Sequence, residues 1–244
     1  MKPITVLLSD DHTIVRQGLR ALLDATEDIL VIGEAENGRQ AVSETERLRP
    51  DVILLDYAMP LLNGVEAARQ IVQSLPTAKV LILSSYNDAQ HVRHAIEVGA
   101  AGYLMKETAA SELLDGIREI SIGNAYFSPL LLKSLFQRHS ASDSRSRVTN
   151  GARLSTRQME VLQLIAEGYM TKQISALLAI TDKTVEKHRQ ALMDRLDIHG
   201  IADLTRYAYS SGVVEINPIM ETPEIPITGQ PEDAALPQIA MALN

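Results

Sequence analysis

From Lys2 to about Ala125, short apolar runs alternate five times with segments whose apolar residues recur at helical spacing. The runs are Ile4–Leu8, Val31–Ala35, Val52–Leu55, Val80–Leu83 and Gly102–Met105, each the length of a strand. Between them His12–Ala25, Arg39–Leu48, Gly64–Leu75, Ala89–Val98 and Ala110–Ile120 predict amphipathic helices. Strands this apolar must be covered on both faces, which implies a parallel sheet with helices on either side. The predicted fold class is therefore α/β, a doubly wound five-stranded parallel sheet, occupying residues 1–125. Ligands of such sheets sit beyond the carboxyl ends of the strands.

The pattern then changes. Residues 126–150 are read as a connecting helix and linker, and 137–153, rich in Ser and Arg without apolar periodicity, as flexible chain. Residues 151–216 predict a small all-α domain with helices at about Thr156–Glu167, Thr171–Leu178, Asp182–Leu196 and Ala202–Ser210. Ser155, Thr171, and Thr181 or Asp182 are the expected N-caps. The short connection at Ala179–Thr181 is that of a helix-turn-helix. Residues 217–244 hold five of the ten prolines and four acids, a Pro-rich acidic tail with little to bury.

Length and composition narrow the reading without redirecting it. A chain of 244 residues suits two small domains. No apolar run approaches the roughly 18 residues of a membrane span, and none resembles a secretory leader. With no cysteine there is no disulfide framework and no thiolate zinc site, as expected of a cytoplasmic protein. A net charge of −8 argues against coating nucleic acid by bulk attraction, so any DNA binding must rest on a local surface.

The carboxyl-end rule gathers Asp10 and Asp11 after the first strand, Asp56 after the third, Ser84 after the fourth and Lys106 after the fifth. Three carboxylates at one sheet edge call for a cation, and hard oxygen ligands suit Mg²⁺ better than zinc. A carboxylate so placed can act as nucleophile on a phosphoryl group, with Lys106 supplying charge and Ser84 a hydrogen bond. Any one Asp reads equally well as a helix cap, Asp10 or Asp11 for the helix near Thr13; five such residues on four strands do not. In the second domain, Lys183, Glu186, Lys187 and Gln190 share one face of the third helix, with Arg189 beside it. They could reach base edges, while Lys172, Thr184 and Arg189 could hold phosphates. By charge pattern alone, a solvated helix face is the better reading of these residues.

Leu8-Ser9-Asp10-Asp11-His12, Leu54-Leu55-Asp56-Tyr57-Ala58-Met59-Pro60 with Gly64, Leu83-Ser84-Ser85 and Gly99 to Lys106 resemble the flavodoxin-like receiver domains of response regulators. That resemblance implies Asp56 as phospho-acceptor, Asp10 and Asp11 as an acidic pair, and Asp11, Asp56 and the Ala58 carbonyl as Mg²⁺ ligands. It also implies Ser84 and Tyr103 as switch residues; from its pattern alone Tyr103 is a half-buried strand aromatic. Glu107 stands where many receivers have Pro. Leu154-Ser155-Thr156-Arg157, Glu160-Val161-Leu162, Ala166-Glu167-Gly168, Lys172-Gln173-Ile174 and Thr184 to Arg189 resemble the LuxR-type helix-turn-helix, with Gln158 and Gln173 at positions usually Glu. Together these describe the NarL/FixJ family. They imply a two-component switch rather than a turnover enzyme, phosphorylated by a sensor histidine kinase, binding double-stranded DNA as a homodimer when phosphorylated, with no membrane partner. Leu204, Ala208 and Ile201 form the candidate dimer face. A phosphatase of haloacid-dehalogenase type is the rival, but its Asp-X-Asp is missing where Tyr57 and Ala58 follow Asp56. A third reading has the helices bind protein.

Overall fold

The computed structural model describes residues 2–86, 89–128 and 154–214; the expected linker and acidic tail lie outside these. The first unit contains β1 (Ile4–Ser9), α1 (Thr13–Asp24), β2 (Ile29–Ala35), α2 (Gly38–Leu48), β3 (Val52–Asp56), α3 (Gly64–Ser74), β4 (Lys79–Ser84), α4 (Ala89–Glu97), β5 (Gly102–Met105), α5 (Ala110–Ser121) and β6 (Tyr126–Phe127). The second contains α6 (Thr156–Ala166), α7 (Thr171–Leu177), α8 (Asp182–Leu196) and α9 (Ile201–Ser210).

The strands pair in parallel in the order β2-β1-β3-β4-β5-β6. The order reverses direction at β1 and β3, so a crevice opens past their carboxyl ends. Alternation along the strands accounts for the continuous apolar runs. Leu7, Ile53 and Leu55 face the side covered by Ala41 of α2, Ala67 and Ile71 of α3, and Val92 of α4. Val6, Leu8, Val52 and Leu54 face Leu23 of α1 and Leu113, Ile117 and Ile120 of α5. Both sides are core, so neither phase of the strand can carry polar residues.

One expectation about the sheet needs correcting, and one alternative reading falls away. The sheet has six strands rather than five: Tyr126–Phe127 adds a two-residue edge strand beside Gly102 and Tyr103. A strand of that length carries no apolar periodicity, so no pattern announced it. Neither Asp10 nor Asp11 occupies the N-cap of α1, which is His12 without a side-chain cap. Asp10 Oδ1 instead accepts the His12 backbone N–H at 2.8 Å.

In the second unit Val161, Leu162, Ile165, Ile174, Val185 and Leu192 close the core. Ser155 caps α6 in a reciprocal box: its hydroxyl accepts the Gln158 N–H at 3.2 Å and Gln158 Oε1 accepts the Ser155 N–H at 2.9 Å. An amide performs this as a carboxylate would, so Gln158 leaves the helix start intact. Thr171 is not a cap but the first residue of α7; Gln173 Oε1 reaches back to the Met170 N–H at 2.8 Å. Thr181 caps α8, accepting the Thr184 N–H at 3.2 Å. Leu204 and Ala208 are both 0% exposed inside this core, which removes them from the candidate dimer face and leaves Ile201 exposed. Their helical spacing marks burial, and it cannot distinguish burial in a core from burial between subunits.

Candidate functional site

The acidic residues meet where the fold requires. β1 delivers buried Asp10 and partly buried Asp11, β3 delivers buried Asp56, β4 buried Ser84, and Lys106 follows β5. The Lys106 ammonium bridges two of the carboxylates, 2.9 Å from Asp10 Oδ2 and 2.8 Å from Asp56 Oδ2. Burial, and next the charge of Asp10, push the Asp56 carboxyl up to about 8, although Lys106 pulls it down. Burial pulls Lys106 down in turn, yet Asp56 and Asp10 outweigh it and leave the ammonium raised. One ammonium is therefore too little charge for three acids.

The donor set fits a divalent cation. Asp10, Asp11, His12 and Asp56 each offer one ligand atom, all within 4.8 Å of one another. Asp11 Oδ1 is buried without a hydrogen bond, although His12 Nδ1 lies 2.8 Å away. A buried carboxylate oxygen left in that state is costly unless a cation takes it. Ala58 lies partly exposed in the loop after β3, which the tight approach of α3 fixes: a Cβ on Gly64 would stand 1.9 Å from the Asp56 carbonyl oxygen.

Ser84 and Tyr103 are joined through one residue, Tyr86. The Tyr86 N–H donates to Ser84 Oγ at 3.0 Å, and the Tyr103 hydroxyl donates to the Tyr86 carbonyl at 2.6 Å. Tyr103 is fully buried rather than half-buried, with its ring 6.5 Å from that of Tyr57. The Tyr86 ring stacks on His91 of α4 at 4.9 Å.

Sequence reasoning missed several participants. Arg16 is buried and donates to the Asp10 carbonyl at 2.8 Å while pairing with Glu34 and Glu36, which pins the β1–α1 corner. Its place on the helix looked like an ordinary polar position. The junction between the units was also missed. Gln163 of α6 accepts the Asn63 N–H at 2.8 Å and donates to the Met59 carbonyl at 2.9 Å. Asn63 Nδ2 donates to the Val213 carbonyl at 3.2 Å, Arg39 pairs with Glu160 at 3.5 Å, and Leu61 packs into the helical core. Thus the loop that begins just past Asp56 is what the helical unit grips.

On the helical unit, Lys172, Lys183, Lys187 and Gln190 are exposed, and Thr184 and Arg189 partly so. Glu186 accepts from the Thr171 hydroxyl at 2.8 Å and lies 3.4 Å from Arg189, so it braces α7 against α8. Thr184 Oγ1 is 2.9 Å from Thr181 Oγ1, and Gln190 donates to Asp194 at 2.7 Å.

Comparison with known proteins agrees with this geometry. Residues 6–118 match the response regulator receiver domain, and 152–208 match the bacterial regulatory proteins of the luxR family. The response regulator protein VraR of Staphylococcus aureus is 34% identical over 212 residues, 87% of this chain and 99% of that one. The solved RcsB response regulator of Salmonella typhimurium is 25% identical with a TM-score of 0.59, covering 86% of this chain and 99% of that one. A LuxR-family two-component response regulator from Aurantimonas sp. SI85-9A1 is 29% identical with a TM-score of 0.55, over 57% of this chain and 99% of that one. The chain belongs to the LuxR-family response regulators, DNA-binding proteins of two-component systems. Among the described residues no helix is long and apolar enough to cross a membrane.

Proposed function

We propose that the chain is a cytoplasmic, phosphorylation-controlled transcription regulator in which Asp56 accepts a phosphoryl group from a sensor histidine kinase. The observation that carries this reading is the Lys106 ammonium bridging Asp10 and Asp56 beside the unsatisfied Asp11 oxygen. In the transfer, an Asp56 oxygen attacks phosphorus, and the bond from phosphorus to the donor's histidine nitrogen breaks with its electron pair kept by the nitrogen. Mg²⁺ held by Asp10, Asp11, Asp56 and the Ala58 carbonyl would supply the positive charge that admits the incoming anion. Lys106 passes from the Asp56 carboxylate to a phosphoryl oxygen. The Ser84 hydroxyl turns from the Tyr86 N–H to another, which frees Tyr86, the residue whose carbonyl Tyr103 holds, and lets Tyr103 repack. This is one event per signal, a switch rather than turnover.

Residues 1–127 are the receiver, β6 included, 128–150 the connection, 151–216 the output domain and 217–244 a tail outside both. Lys183, Lys187 and Gln190 read base edges from α8; Lys172, Thr184 and Arg189 hold phosphates. Glu186 serves that surface by holding Arg189. Interdomain hydrogen bonds come from α6, its C-cap Glu167, α7 and Val213. Control therefore runs through release of the domains and dimer formation, and not through uncovering the reading helix. One short helix contacts few bases, so two copies bind an inverted repeat with half-sites about one turn of DNA apart.

Acetyl phosphate with Mg²⁺ should add one phosphoryl group to the chain, and Asp56→Asn should abolish the labelling. The phosphorylated chain should then select a two-fold symmetric site from random DNA. Labelling of the variant at the wild-type rate, or a selected site without symmetry, would overturn the reading.

A further inference from the structure

The domain interface holds a carboxyl group that the phosphoryl chemistry does not use. Glu167 sits at the C-terminal end of α6, where the helix dipole disfavours negative charge. Its two oxygens each lie 3.2 Å from the Leu61 N–H of the receiver loop, and Oε1 accepts from Gln163 Nε2 at 2.7 Å. Leu61 has φ 66, a left-handed conformation that a bulky residue keeps only where its surroundings hold it, and here the apolar core of the output domain does so. Among the described residues Glu167 forms no ion pair. The charge that reaches it is that of Arg39 on α2, which is itself paired with Glu160 on α6. From its own domain the Tyr169 phenol faces it, raised by burial and by the Glu167 charge.

We propose that Glu167 is a proton-linked latch between the domains: its neutral carboxyl holds the receiver on the output domain, and its ionisation loosens the contact. Burial pushes the carboxyl up to about 7 from the ordinary value of 4.5 that it regains in water once the domains part. The closed form thus binds the proton more tightly than the open one. Closure is fully favoured below the open-state value and loses that support as pH rises through the closed-state value. Between pH 5.5 and pH 8 the closing constant falls about 30-fold on these two values. Glu66 of α3, also raised by burial, acts in the same direction, whereas His94 of α4, lowered by burial, acts against it. Both border the cavity of about 260 Å³ between the domains, together with Arg69, Glu97, Met159 and Tyr207. Both remain in a Glu167→Gln chain, so that variant isolates the latch.

The chain has no native cysteine, so Ile122→Cys and His199→Cys, one exposed site per domain, allow a fluorophore pair on the full-length protein. Energy transfer is read from pH 5.5 to 8.5 without DNA or phosphodonor, so the result does not depend on the function proposed above. The wild-type chain should open as pH rises, and Glu167→Gln should stay closed with only the residual pH dependence that Glu66 and His94 leave. A second variant, Arg39→Gln, removes the only cation acting on Glu167 among the described residues and should move the wild-type midpoint to higher pH. A pH-independent wild type, a Glu167→Gln curve equal to the wild type, or an unmoved midpoint in Arg39→Gln would each overturn the latch.

Discussion

Asp56 and Glu167 are both carboxyl groups that burial holds above their ordinary values, and their neighbours answer them by different means. Around Asp56 the sheet edge adds charge: Lys106 at 2.8 Å, and further oxygens from Asp10 and Asp11 able to take a cation. Around Glu167 the interface adds hydrogen-bond donors, the Leu61 N–H and the Gln163 amide, and the charge of Arg39 without an ion pair. Cations and neutral donors alike favour the ionised form of a buried acid, yet at both sites burial outweighs them, and at Asp56 the charge of Asp10 adds to burial. The same burial that prepares one site for phosphoryl chemistry makes the other sensitive to protons.

The comparison breaks most visibly at Lys106. Lys106→Met leaves Asp10 and Asp56 without their shared cation and should cost about 3 to 5 kcal/mol in denaturant titrations at neutral pH. Mg²⁺ should recover much of that loss; a cost under about 1 kcal/mol without metal would mean that the ammonium is not the charge that balances the site. Asp56 also gives the native state a pH dependence. Its native value of about 8 lies above the ordinary 3.8, so its contribution is complete below pH 4 and disappears as pH rises toward 8. Saturating Mg²⁺ should flatten that decline, measured as melting temperature against pH.

The output domain offers a second contrast, between helix faces that are buried and those that are displayed. Leu204→Ala should destabilise the helical unit by about 2 to 5 kcal/mol, because Leu204 is enclosed by its core. Unchanged stability with lost dimerisation would restore Leu204 to a subunit interface. Lys187→Ala, on the displayed face of α8, should leave the melting temperature alone and weaken specific DNA binding by about 1 to 3 kcal/mol if it reads a base, or flatten the salt dependence if it touches phosphate. The smallest effect falls on the helix start: Ser155→Ala removes the acceptor for the Gln158 N–H and should cost about 1 kcal/mol in thermal unfolding. No change would mean that the box is held by Gln158 alone.

By itself the sequence determined the alternation of strands and helices, and from it the parallel sheet whose carboxyl edge gathers Asp10, Asp11, Asp56, Ser84 and Lys106. Periodicity and the carboxyl-end rule are local and topological facts, so they survive without coordinates. It also marked the starts of α6 and α8, because Ser155 and Thr181 act within one turn of chain. Tertiary structure alone decided what meets across long separations. The edge strand Tyr126–Phe127 is too short to show a period, and Leu204 carries the same apolar spacing whether a core or a second subunit covers it. Arg16 beneath Asp10 and the grip of Gln163 and Glu167 on residues 59–63 join polar side chains whose partners no local pattern encodes. Such polar contacts stabilise a fold already formed by apolar burial, and they become specific only once packing has set the distances between the groups.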